Sequence, residues 1–278
     1  MPTIAPAVEQ RPLIGVALGG GGARGFAHIG VLRVLEQEKI PVDLVLGSSV
    51  GSVIGVLYAD SGQVLDAEFH AIEVTREDLF DFGAMAVLSG GLARGEAIVS
   101  YLERRLRHAT FETLPVRFGA VATDLRTGRT VVFEQGAIAP AVRASCAIPG
   151  VFPPVEIGGE LYVDGGLSDP VPADAVRGRG ADVVIAVAIP AAVPDRAPTT
   201  ALGVILQSIA IQSAQVQRLR AKEADVVIVP EVGQIAYDDF TRKRELIAAG
   251  EAAARAALPA IRAAIRAKTK LTTRPAPL

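Results

Sequence analysis

The pentapeptide Gly47-Ser48-Ser49-Val50-Gly51 follows a short apolar run, Val42 to Leu46, and precedes Val53, Ile54, Leu57 and Tyr58 at helical spacing. A Gly-x-Ser-x-Gly sequence between a strand and a helix is the setting of a nucleophile elbow, where the small residues Gly47 and Gly51 let a sharp turn expose the Ser49 hydroxyl. At a helix N-terminus the dipole and the free backbone N–H groups favour an attacking oxygen anion and the oxyanion it creates. The plainer alternative is a tight turn with a serine N-cap.

A second glycine-rich stretch, Gly19-Gly20-Gly21-Gly22-Ala23-Arg24-Gly25, lies between the apolar run Leu13 to Leu18 and the helical pattern Phe26 to Glu38. Its window Gly20 to Gly25 also fits the Gly-x-Gly-x-x-Gly fingerprint of a dinucleotide site, and a nucleotide-binding α/β module without enzymatic activity is the competing reading. That fingerprint needs an acid at the end of the second strand to hold a ribose, where this chain has Gly47-Ser48. No Lys-Ser/Thr follows the glycines, so a phosphate-binding P-loop fails as well. What remains is a bare backbone loop whose N–H groups can face an anion, and an oxyanion hole fits it best.

A serine nucleophile needs a base. The three histidines, His28, His70 and His108, all lie in the first 110 residues, so the late histidine of an ordinary α/β-hydrolase triad is missing. They are read as packing or surface residues, His28 on the helix after the glycines and the other two on charged helix faces. A carboxylate must then serve, and Asp164 in Asp164-Gly165-Gly166 ends an apolar run where two glycines let the chain turn and expose it. An Asx-type turn is the structural reading of the same residues. Asp124, Asp169 and Asp174 are rival carboxylates.

These residues need rigid elements to hold them. Two strand, turn and helix units in succession make a right-handed βαβ crossover with strands buried on both faces. Beyond it the patterns predict a helix over Gly95 to His108, a strand over Val116 to Thr123 and a hairpin into Thr130 to Phe133. A short helix over Ala137 to Cys146 and a second hairpin over Val155 to Val163 follow. Val183 to Ile189 and Asp225 to Val229 read as buried strands, with helices over Leu202 to Leu219 and Arg242 to Leu258. The division is one α/β domain over residues 12–268, with flexible segments at 1–11 and 269–278. Pro190 to Pro198 reads as a loop.

In type and order the glycine loop with Arg24, the elbow around Ser49 and Asp164-Gly165-Gly166 resemble the patatin-like phospholipases. Ala144-Ser145-Cys146-Ala147-Ile148-Pro149-Gly150 and Asp169-Pro170-Val171-Pro172 are also similar to segments of that family. The resemblance implies a three-layer α/β/α fold with a mostly parallel central sheet. It implies a Ser–Asp dyad with Ser49 as nucleophile and Asp164 as base, an oxyanion hole from the N–H groups of Gly20 to Gly22, and no cofactor or metal. Arg24 either steadies the loop or meets a lipid phosphate, and Gly25 completes it. Gly19 stands where many members carry Asp. The implied substrate is a lipid acyl ester, of phospholipase A or lysophospholipase type.

Two other features invite a functional reading. Gly90-Gly91-Leu92-Ala93-Arg94-Gly95 echoes the first glycine loop but follows no convincing strand, so it reads as a loop before a helix. Cys146, the single cysteine, sits in an apolar run and reads as a buried, inert thiol. One thiol forbids an internal disulfide and fits a reducing compartment.

The chain has 278 residues, a formal net charge of −2 and 50% hydrophobic residues, the balance of a globular protein with a large core. No signal peptide is read at its start. The charge-free windows Leu44 to Ala59 and Ala197 to Gln217 carry too many glycines, serines and glutamines to span a bilayer. The expectation is a cytoplasmic protein. Charge is uneven, because after Glu251 come no acids and six bases, Arg255, Arg262, Arg266, Lys268, Lys270 and Arg274. A terminal helix packed on the domain through Leu258, Ile261 and Ile265 is one reading of this tail, and peripheral contact with an anionic membrane surface is the other. The acidic body argues against nucleic acid.

Overall fold

The computed structural model describes residues 7–79, 81, 93–190 and 197–273. Gly90 to Leu92, most of the loop between Pro190 and Pro198, and residues 1–6 and 274–278 of the two terminal segments lie outside the described residues. The elements are β1 (Ala7–Gln10), β2 (Ile14–Leu18), α1 (Ala27–Gln37), β3 (Leu44–Ser48), α2 (Val50–Ala59), α3 (Val64–Glu73) and α4 (Glu96–Arg105). They continue with β4 (Arg117–Asp124), β5 (Thr130–Phe133), α5 (Ile138–Ser145), β6 (Val155–Ile157), β7 (Glu160–Asp164) and α6 (Ala173–Arg177). The last are β8 (Val183–Val187), α7 (Ala201–Arg220), β9 (Val226–Ile228), α8 (Lys243–Lys268) and β10 (Lys270–Thr273).

The central sheet runs β6-β7-β4-β3-β2-β8-β9, with β5 also on β4. The pairs from β4 through β9 are parallel, and β5, β6 and β7 join antiparallel, so the sheet is mixed with a parallel centre. Outside it, β1 pairs antiparallel with β10, joining the two ends of the described chain.

Alternation along the central strands divides the core into layers. Val16, Leu18, Val45, Val183, Ile185 and Val187 point to a large cluster with α1, α2 and α8. Ala17, Leu46, Val184 and Ala186 point the other way, to a smaller cluster with Val171, Ala173 and Val176 at α6. Small residues on that second face let α6 sit close, and a Cβ at Gly15 would lie 2.2 Å from Val176 Cγ1. Helices therefore cover both faces.

Helix α8 runs beyond the anticipated Leu258, through Pro259, and buries Ile261. Arg255 and Arg262 turn to Gln37 and Glu38 at the end of α1, so part of the basic tail is engaged with the domain itself. The α1–α8 crossing is close at two glycines. A Cβ on Gly30 would lie 2.0 Å from the Ile247 carbonyl oxygen, and one on Gly250 would lie 1.9 Å from that of Ala27. Because the obstacle is backbone, neither helix can yield without moving as a whole. Gly30→Ala should therefore destabilise the protein by about 2 kcal/mol despite the better helix propensity of alanine, as a lower midpoint in urea unfolding. An unchanged midpoint would mean that the helices are not locked at this distance.

Candidate active site

The turn between β3 and α2 leaves almost no space for side chains. A Cβ on Gly47 would lie 2.2 Å from the Gly51 carbonyl oxygen, and one on Gly51 would lie 2.1 Å from that of Leu18. Both positions need glycine for that reason. Between them Ser49 adopts φ 53° and ψ −127°, a conformation that costs a non-glycine residue about 1–3 kcal/mol. The strain is held by a clamp that the sequence did not disclose. The Ser49 N–H donates to Ser145 Oγ at 3.0 Å, the Ser145 hydroxyl donates to the Val121 carbonyl at 2.5 Å, and Ser52 bonds back to the Ser49 carbonyl through its N–H and its hydroxyl.

Strand β4 brings the carboxylate to this serine. Ser48 at the end of β3 pairs with Val121, and Asp164 at the end of β7 pairs with the next residue, Ala122. Strand β5 occupies the other edge of β4 at both positions, so β3 and β7 share one edge and meet end to end. Gly165 permits the meeting, since a Cβ there would lie 2.2 Å from the Val121 carbonyl oxygen and 2.7 Å from Ser48 Oγ. Asp164 is 6% exposed. Its Oδ1 accepts the Gly166 N–H at 2.7 Å, while Oδ2 has no hydrogen-bond partner among the described residues. Burial pushes its pKa up to about 6, and the Gly166 N–H and the nearby Ser49 hydroxyl pull it partly back. The hydroxyl is thus near the carboxylate without completing a bond to Oδ2, a looseness common in unliganded sites.

The glycine loop lies over the serine, and a Cβ on Gly20 would come 3.4 Å from Ser49 Cβ. Three of its peptide groups are pegged by hydrogen bonds to side chains or to other segments of the chain. The Gly19 and Gly20 N–H groups donate to the carbonyls of Val187 and Pro170, both at 3.0 Å. The Gly20 N–H is therefore spent, which corrects the expectation that it binds an oxyanion. No hydrogen bond among the described residues occupies the N–H groups of Gly21 and Gly22. Arg24 is buried and donates to the carbonyls of Gly21 at 3.2 Å and Pro190 at 2.8 Å, so it steadies the loop. Burial lowers its pKa. Because the carbonyl and N–H of one trans peptide point in opposite directions, holding the Gly21 carbonyl also fixes the Gly22 N–H. Gly25 meets Val50, where a Cβ would lie 2.4 Å from Cγ1, and so sets the distance between loop and elbow helix.

His28 has a more definite role than packing. It is fully buried, and its Nε2 lies 2.7 Å from the Gly19 carbonyl oxygen. A carbonyl only accepts, so Nε2 carries the hydrogen. Burial lowers the pKa of the ring to about 4, and it stays neutral. Neither of the other histidines lines the cleft. His108 lies beyond the end of α4, not on a helix face, with Nδ1 3.0 Å from Asp60 Oδ1.

Of the rival carboxylates, Asp124 accepts the N–H groups of Arg126 and Thr127 in its own turn, Asp174 sits in the first turn of α6, and Asp169 is buried and does not line the cleft. Cys146 is buried, and desolvation, with the charge of Asp164 adding to it, pushes its thiol up to about 12. It is inert at neutral pH.

Ser49, Asp164, Arg24 and the loop glycines line a cleft of about 580 Å³, and among the described residues no other charged side chain lines it. Its walls are mostly apolar, with Ile148, Val151, Leu167 and Ile189 on one side. Helix α7 forms another wall through Gly203, Leu206, Gln207, Ala210, Ala214 and Gln217. These recur at helical spacing, and the charge-free window Ala197 to Gln217 was the signal from which they could have been found.

A family model described as patatin-like phospholipase matches residues 16–177. An uncharacterized NTE family protein of Mycobacterium tuberculosis is 38% identical over 181 residues, 65% of this chain and 50% of that protein. Patatin-like phospholipase domain-containing protein 6 of Homo sapiens is 37% identical over 182 residues, 63% of this chain and 13% of that protein. The chain thus spans about half the length of the first relative and a small part of the second. Among solved structures, VipD from Legionella pneumophila superposes with a TM-score of 0.52 at 13% identity, covering 98% of this chain and 71% of its own. A chain of the SpcU–ExoU complex from Pseudomonas aeruginosa gives 0.50 at 15% identity, covering 96% and 56%. At such identities the likeness is one of fold.

The peg on Gly19 makes a distinct prediction. His28→Leu should keep the fold but slow reaction of Ser49 with a fluorophosphonate by about tenfold or more, since a displaced oxyanion donor costs on the order of 3 kcal/mol. His28→Gln, which can still donate to the carbonyl, should recover much of that rate. Equal rates for both variants would refute a positioning role.

Proposed function

The chain belongs to the patatin-like phospholipase family, and from that premise we propose that it is a serine acyl-ester hydrolase of lipids, of phospholipase A or lysophospholipase type. The observation that carries the reading is the end-to-end meeting of β3 and β7 on one edge of β4, which sets Ser49 beside the buried Asp164 on the wall of an apolar cleft. The dinucleotide alternative gains nothing from this cleft, where the end of β3 offers a serine in place of a ribose-binding acid.

In the first step Asp164 takes the Ser49 proton as Oγ attacks the ester carbonyl. The carbonyl oxygen gathers charge beneath the N–H groups of Gly21 and Gly22, and the tetrahedral species collapses to an acyl-enzyme. The proton on Asp164 passes to the departing alcohol oxygen. Water then gives a proton to Asp164 and attacks the acyl carbon, and Ser49 regains its proton as the fatty acid leaves. An ordinary carboxylate is a weak base for an alcohol, and burial narrows the gap by raising Asp164 to about 6. The oxyanion donors supply a large share of the remainder, each about 3 to 4 kcal/mol. The cationic Arg24 behind the loop adds to the favourable field.

Ser49→Ala and Asp164→Asn should each lower turnover of a short-chain chromogenic ester by at least about a thousandfold, and only the serine variant must lose fluorophosphonate labelling completely. Near wild-type turnover by either would sink the dyad. For the parent, kcat/KM should fall about tenfold per pH unit below pH 6 as Asp164 takes up a proton. A flat acid limb to pH 5 would remove Asp164 as the base.

The same shift carries a stability sign. The folded state holds the Asp164 proton more tightly than the unfolded chain, whose carboxyl titrates near 3.8, so ionisation destabilises the fold, fully above pH 6 and not at all below pH 3.8. Asp164→Asn should therefore be more stable than the parent at pH 8, by on the order of 3 kcal/mol, with the difference shrinking toward pH 4 in denaturant titrations. A less stable variant at pH 8 would contradict a desolvated carboxylate.

A further inference from the structure

Helix α7 is unusual in its outward face. None of its residues is fully buried, and the face turned away from the cleft carries Val204, Ile205 and Ile211, which are 47%, 54% and 56% exposed. The neighbouring outward positions Ser208, Gln212 and Gln215 are uncharged, and the first charge on this face is Arg218, seven residues beyond Ile211. A surface helix ordinarily turns charged residues to water, and this one does not for most of its length. Its inner face walls the cleft, and Tyr237, 48% exposed, lines the same cleft. The chain has a second exposed apolar helix face, Leu65, Phe69 and Ile72 on α3. That face lies among Asp66, Glu68 and Glu73 and contributes nothing to the cleft wall.

We propose that the outward face of α7 is a docking surface for an anionic lipid membrane, which seats the mouth of the cleft against the bilayer. The inference rests on the lipid-hydrolase reading above and adds where the lipid surface is met. Three observations select this occupant. At the end of the face Arg218 and the exposed Lys222 just beyond are basic, with one exposed acid, Glu223, after them, and α7 itself has no acid. Neither base forms an ion pair among the described residues. The helix that carries these apolar side chains also walls the cleft, so a bilayer against its outward face lies one helix away from the site that takes a lipid substrate. A helix with apolar and basic residues facing outward suits the boundary between headgroups and acyl chains. This places the contact on α7, in preference to the basic tail, of which Arg255 and Arg262 already have partners on α1.

The test is co-sedimentation of the full chain with vesicles of phosphatidylcholine alone and of phosphatidylcholine mixed equally with phosphatidylglycerol. The parent should bind the mixed vesicles more tightly, and less so at high salt. The double variant Ile205→Glu, Ile211→Glu should bind them at least about tenfold more weakly. Neither position lines the cleft, so this variant should hydrolyse a water-soluble short-chain ester at the parental rate, which also shows that it is folded. Phe69→Glu on α3 should bind vesicles as the parent does. The proposal is overturned if the parent does not bind either vesicle, if the double variant binds as well as the parent, or if the parent is a dimer that the double variant splits. Absence of Ser49 labelling in the parent would refute the hydrolase reading instead, a result independent of vesicle binding.

Discussion

Strand β4 is the piece on which the site depends. Along one edge it pairs first with β3, running parallel, and then with β7, running antiparallel, so two strand ends that are far apart in sequence meet at Val121 and Ala122. A strand edge can pair with two partners in series only where neither continues past the junction. The elbow after Ser48 turns one chain sharply away, and the Gly165-Gly166 turn does the same for the other. The glycines of both motifs are thus explained by one constraint, close approach of backbones at that junction. A Cβ at Gly47, Gly51 or Gly165 would come within about 2.2 Å of a carbonyl oxygen.

The junction also sets the electrostatics. Asp164 is drawn into the sheet by its own strand pairing, by its N–H to the Ala147 carbonyl at 3.0 Å and by the Thr123 hydroxyl on its carbonyl at 2.9 Å. Its backbone is therefore well satisfied while its carboxylate is not, for one oxygen has a single N–H and the other has no bond among the described residues. That asymmetry keeps the group basic. A fully hydrogen-bonded carboxylate would be held ionised and would accept a serine proton poorly, whereas this one gives up stability above pH 6 in exchange for reactivity.

The sequence was most legible where chemistry and local backbone coincide. The elbow, the glycine loop and Asp164-Gly165-Gly166 could each be placed on a strand end or turn from residue type alone, and the strands around them follow from their apolar runs. What escaped were matters of direction and partnership. No spacing rule indicates that the Gly20 N–H is taken by Pro170, that Ser145 braces the elbow, or that His108 faces Asp60 from beyond a helix end. Each is set by a contact between residues distant in sequence. Helix α7 was visible as a helix, but which of its faces walls the cleft depends on where the turn after Asp164 lies. Its lack of charge invites comparison with a membrane span, which its glutamines and serines exclude, and by itself does not point to a cleft wall.

Two buried bases, His28 and Arg24, hold the glycine loop in different charge states, one neutral and one cationic. Both bind carbonyls of the loop, at Gly19 and Gly21, and neither has a carboxylate partner among the described residues. Such a partner would attract the loop's N–H groups or neutralise the field that an oxyanion needs. The neutral imidazole pegs its carbonyl without adding charge, and the guanidinium, with its rigid array of donors, spans two carbonyls while remaining a cation. With the Gly19 and Gly21 carbonyls held, the peptide groups that carry the N–H of Gly20 and of Gly22 cannot turn, and much of the freedom that four successive glycines would otherwise have is removed before substrate arrives. Preorganisation of this kind is what makes a backbone loop an effective partner for a developing charge.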